Sequence, residues 1–151
     1  MVDFRKDTWL YALIASILAI ISLFTPARII HAGGEYGDMI AWLGGGIMLE
    51  IDSGTWHEDL FSQLLFGATL ISITLLLIIS INSWRGKEIK RDSLIYLLSG
   101  TIILMLTIFF WIFEFDPDFE TISFATIGIF ISGIISILAF TIDRLSAYRN
   151  K

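Results

Sequence analysis

His31, Glu35, His57, Glu58 and Asp59 carry side chains that could gather into an exterior metal site. Imidazole and carboxylate together suit zinc or a similar ion. Their spacing matches no ligand signature, and Glu58 and Asp59 directly precede a long apolar run, where a helix start favours negative charge anyway. The last three of these residues belong to "AWLGGGIMLEIDSGTWHEDL", residues 41–60, which holds three consecutive glycines. A phosphate-binding loop would follow such glycines with Lys-Ser or Lys-Thr, which this stretch lacks. The glycines therefore read as a turn or bulge. Asp116 and Asp118 could hold calcium weakly, but read more simply as a solvated rim. The chain has no cysteine and two histidines. A serine hydrolase needs a base within reach of its nucleophile, and Ser72 and Ser99 have none at their depth in the apolar runs. The expectation is a protein that is not an enzyme and carries no cofactor.

The elements that must position these residues are dominated by apolar runs. Of 151 residues 56% are hydrophobic, and the mean hydropathy is +0.78. A soluble domain of this length leaves too much surface exposed to hide so much apolar area. Uncharged runs cover 8–27, 60–84, 93–113 and 121–142. About 20 residues rising ~1.5 Å each cross a hydrocarbon core of ~30 Å. The reading is a single integral membrane domain, an all-α four-helix bundle with spans at about 8–26, 59–84, 93–113 and 119–142. The first run is expected to be retained rather than cleaved as a signal peptide, because no small-x-small site follows it. None of the four runs contains a charged residue, which argues against secondary transport.

Basic residues set orientation. Arg5, Lys6, Arg85, Lys87, Lys90, Arg91, Arg144, Arg149 and Lys151 all fall on one side, and only Arg28 on the other. Both termini and the loop 85–92 should be cytoplasmic, and the loops 27–58 and 114–118 outside the cell membrane. The outer face carries ten acids against that one base. Such a face excludes nucleic acid and favours cations.

Local signals refine the picture. Asp7 or Thr8 can cap the first helix, and Pro26 should end it. Thr55-Trp-His-Glu58 reads as a capping box for the second. Asp92 and Ser93 can cap the third, and Asp116 with Pro117 in the first turn the fourth. In the first outer loop, 28–32 is rich in β-formers, and Ile47, Leu49 and Ile51 alternate with polar or flexible residues. This is a strand pattern with one buried face, and two or three antiparallel strands over the bundle end are expected. In the fourth run Ala125, Gly128, Ser132 and Ser136 form a small-residue stripe, with a shorter one at Ala12, Ala15, Ser16 and Ala19. Small residues let helices approach closely in lipid, so leucine at 128 or 132 should disrupt packing while Ile129→Leu should not.

Four spans, cytoplasmic ends, a β-rich first outer loop and a short second one resemble the claudin superfamily, which includes claudins, peripheral myelin protein relatives and calcium-channel gamma subunits. "SLFTPARII" is similar to the family's exit from the first span. Trp42-Leu43-Gly44 followed by "GGIMLE" resembles its Trp-(many)-Gly-Leu-Trp element, and "FATIGIFISGIISILAF" its fourth span. The family's first-loop cysteine pair is absent. The resemblance implies lateral self-association, or service as an accessory or structural subunit beside another membrane protein, in contact with the lipid bilayer. Two alternatives stay open: a small cation channel or transport component with an acidic outer vestibule, and an exterior metal-dependent enzyme or sensor.

Overall fold

The computed structural model describes residues 7–31, 38–42, 47–50, 56–58, 60–87, 92–109, 111–112, 117–118 and 120–149. Four helices carry the chain: α1 (Thr8–Phe24), α2 (Leu60–Trp84), α3 (Asp92–Phe109) and α4 (Phe124–Arg149). Five short strands stand at one end: β1 (Pro26–His31), β2 (Asp38–Trp42), β3 (Ile47–Glu50), β4 (Trp56–Glu58) and β5 (Glu120–Ile122). α1 packs on α2 and α4, and α3 on the same two, so the helices close a ring. The α1–α4 seam is the most extensive. α2, α3 and α4 contain segments long and apolar enough to cross a membrane. α1 is apolar but has 17 residues, a length of ~26 Å at ~1.5 Å per residue.

The strands form one antiparallel sheet in the order β4-β3-β2-β1-β5. Four come from the connection between α1 and α2, and the fifth from that between α3 and α4. The stretches expected to be strands at 28–32 and 47–51 do lie in this sheet, as β1 and β3, but β2 separates them. Ala32, Ile51, the glycines 44–46, Glu35, Asp59 and Asp116 lie outside the described residues.

Three boundaries need correction. Thr55-Trp-His-Glu58 is not a capping box, because Trp56–Glu58 pairs with β3 as β4 and α2 starts at Leu60. Their backbone amides serve a sheet ladder instead of a helix start. Pro117 does not open the last helix. It lies in a turn, β5 follows, and α4 begins at Phe124 and runs to Arg149. The apolar run 121–142 misplaces both ends because strand β5 is itself uncharged after Glu120, whereas the last two turns of α4 are polar. α1 ends at Phe24, and Thr25 before Pro26 is extended at φ −103°, ψ 149°, as pre-proline sterics require.

Caps follow ordinary chemistry elsewhere. Asp92 Oδ1 accepts the Ser93 amide at 2.7 Å at the start of α3. Asp7 occupies the cap of α1 but makes no side-chain capping bond. α2 ends with Gly86 at φ +73°, and Lys87 N–H reaches back to the Asn82 carbonyl at 3.0 Å. That six-to-one bond around a left-handed residue is a Schellman ending.

Candidate functional site

The inward faces of the helices place the small residues in the bundle interior. Ala12, Ala15, Ser16 and Ala19 of α1 are fully buried, as are Ala125, Ser132 and Ser136 of α4, and Gly128 is buried with them. A methyl at Gly128 would collide with Ser22 Oγ of α1. Ser132 Oγ donates to the Ala15 carbonyl at 2.7 Å, joining α4 to α1. Ser136 Oγ donates to the Tyr96 carbonyl at 2.8 Å, joining α4 to α3. One stripe thus serves two neighbours. Ile129 is not an outward-facing control. It is fully buried on the same side, because 125, 129, 132 and 136 form one ridge at four- and three-residue steps.

A second close approach has no counterpart in the sequence reading. Gly100 of α3 faces Gly133 of α4, and a Cβ built on Gly100 would stand 3.0 Å from the Gly133 carbonyl oxygen. A Cβ on Gly133 would stand 2.6 Å from Leu104 Cγ. The signal was present as two glycines inside apolar runs, each costing helix propensity and so needing a packing reason.

At the sheet end, β1 anchors both loops to α4. The β1–β2 register slips between Pro26 and Arg28, leaving Ala27 as the extra residue of a bulge. Its carbonyl accepts the Ser123 amide and the Thr126 hydroxyl, each at 2.9 Å. Ser123 Oγ also donates to the Pro26 carbonyl. Arg28 Nη1 contacts both Glu120 carboxylate oxygens at 2.9 Å, with side chains only 5% and 7% exposed. This buried pair ties β1 to β5. Arg28 reads from sequence as the one stray base on an acidic face; its burial was not legible there, because its partner lies 92 residues away.

Of the candidate metal ligands, Glu35 and Asp59 lie outside the described residues, and His31, His57 and Glu58 belong to strands of the sheet. His31 is exposed, with Nε2 3.2 Å from Thr121 Oγ1. His57 lies on β4, three strands away from β1, or ~14 Å at the usual strand spacing. Following the register from His57 through Met48 and Ala41 leads to Arg28, three residues from His31. The two backbones are therefore ~17 Å apart at the usual strand spacing and rise. Among the described residues no group of three or more histidine and acidic side chains could hold a metal.

The outward faces are apolar. Ile14, Ile21, Ile71, Ile78, Leu98, Met105 and Ile134 are all exposed, a larger apolar surface than a water-soluble monomer presents. Two open grooves of about 350 and 470 Å³ flank the sheet-proximal half of α3, with Ile108 and Ile112 shared between them. No protein-family model matches the chain, and no curated protein matches it.

Proposed function

We propose that this chain is a non-enzymatic integral membrane protein of claudin-like architecture that acts by lateral association, with copies of itself or as an accessory subunit of another membrane protein. In this reading all four helices span the cell membrane, α1 included, since 17 residues is the short limit for a spanning helix. Both chain ends are cytoplasmic and the sheet is outside. The observation that carries the reading is that both connections at one end of the bundle contribute strands to one sheet, while nine of ten basic residues stand, in the sequence, before α1, between α2 and α3, or from position 144 onward. The resemblance to the claudin superfamily rests on that arrangement and on the short motifs quoted above. Continuous apolar faces suit lipid and neighbouring helices alike.

Cross-linking tests association directly, because the chain has no cysteine of its own. Single cysteines replace outward residues Leu98 or Met105 of α3 and, in separate variants, Ile14 or Ile78. Cross-linking in native membranes should give a homodimer, or a defined adduct with another membrane protein, from one face and not the others. Monomer at every position, with no partner retained in mild detergent, would contradict the proposal.

A further inference from the structure

At the end of the bundle away from the sheet, the start of α1 meets the end of α2. Trp9, in the first turn of α1, and Trp84, the last residue of α2, stack there with ring centroids 6.2 Å apart. Trp84 is 63% exposed, so the stack stands on the surface and not in the core. Arg85 and Lys87 follow at once, on either side of Gly86 at φ +73°. Their amides donate to the Ile81 and Asn82 carbonyls at 3.1 and 3.0 Å, which holds both residues against the last turn of α2. Both side chains are exposed, and neither pairs with an acid among the described residues.

Charge decides what this surface can meet. The connection 85–91 carries four bases and one acid, and the segments 1–7, 85–92 and 143–151 together carry nine bases against five acids. The loops 27–58 and 114–118, by contrast, are strongly acidic. A helix C-terminus favours bases on its own account through its dipole. That accounts for Arg85 and Lys87, but not for a large exposed indole stacked beside them. Indole rings favour the headgroup level of a bilayer, and Lys/Arg clusters directly beyond a spanning helix attract anionic lipid. Aromatic rings with guanidinium and ammonium groups one step further out match the layering of an anionic phospholipid, acyl chain and glycerol first and phosphate beyond.

We propose that Trp9, Trp84, Arg85 and Lys87 form a docking surface for an anionic phospholipid headgroup. The indole pair lies along the glycerol and upper acyl chain. Arg85 donates its planar fork to two phosphate oxygens, and Lys87 supplies a second positive charge. The inference rests on the reading that the bundle crosses a membrane, and adds the class of lipid held at this end.

The test places the full chain in vesicles of phosphatidylcholine brominated near the head of its acyl chains, which quenches tryptophan emission on contact. Unbrominated phosphatidylserine is mixed in, and the recovery of emission is compared with that from unbrominated phosphatidylcholine at the same fraction. Trp42 and Trp56 stand in the sheet and Trp111 beyond α3, a background common to wild type and variant. One base near an anionic surface contributes roughly a fivefold factor, so phosphatidylserine should displace the brominated lipid at least about fivefold more effectively at low salt. Salt at ~0.15 M, which screens exposed charges beyond ~8 Å, should reduce that preference. Arg85→Gln/Lys87→Gln, at two exposed positions, should lower it at least about twofold. Equal recovery from the two lipids, or a preference that the double variant leaves unchanged, overturns the proposal and leaves the membrane reading standing. Absence of quenching by any brominated lipid would place the chain outside the bilayer and remove both. Loss of the preference on adding inorganic phosphate at constant ionic strength would reveal a site for a free anion, and also overturns the proposal.

Discussion

Replacing Gly100 by alanine isolates the closest approach of α3 to α4. The added Cβ would meet the Gly133 carbonyl oxygen, Ile137 Cγ1 and Ser136 Cβ, each at 3.0 Å. Two of these three are fixed by the backbone, so no rotamer change relieves them, and the helices must part by a few tenths of an ångström. Overpacking of this kind costs ~1–3 kcal/mol, against a gain of ~1 kcal/mol from the better helix propensity of alanine. The net change at Gly100 is a destabilisation of up to ~2 kcal/mol on those two figures. Gly67 supplies the control, since a Cβ there meets nothing within 4 Å. Gly67→Ala keeps the propensity gain, so the two variants should differ by ~1–3 kcal/mol, the overpacking itself. Reversible unfolding in mixed micelles with increasing dodecyl sulfate, followed by tryptophan emission, reads the difference. Equal midpoints for the two variants would show that α3 and α4 are not in contact at these glycines.

Glu120→Ala should cost ~3–5 kcal/mol, because it leaves a buried guanidinium facing an empty position. The double variant Arg28→Met/Glu120→Leu should recover most of that, checked in the same unfolding titration. Ser132→Ala should cost only ~0.6 kcal/mol, the usual worth of a hydrogen bond between membrane helices, since the Ala15 carbonyl also belongs to helix α1. Gly128→Leu should abolish the folded peak in size-exclusion chromatography, and Ile127→Leu, on the outward face, should not.

Much of the fold was legible because its elements are long and chemically uniform. Uncharged runs of helical length locate α2 and α3 within a few residues, and alternation locates β3. The short elements escaped for a definite reason. β4 and β5 have three residues each, too few to display a period, and "TWHE" satisfies a capping pattern as well as a strand. Their pairing is decided by contacts with residues distant in the chain, such as Arg28 with Glu120. The small-residue stripe was visible at Ala125, Gly128, Ser132 and Ser136. Glycine at 100 and 133 carried a packing signal as well, but one that names no partner until the two helices are placed side by side.

The central claim is that the bundle crosses a membrane with the sheet outside and both ends inside. Single cysteines in place of Asp118, in the exposed turn before β5, and Lys87, just beyond α2, can be exposed to a membrane-impermeant maleimide in intact cells. Labelling is expected at 118 without lysis and at 87 only after it. Labelling at 87 in intact cells, or at both positions alike, would contradict it.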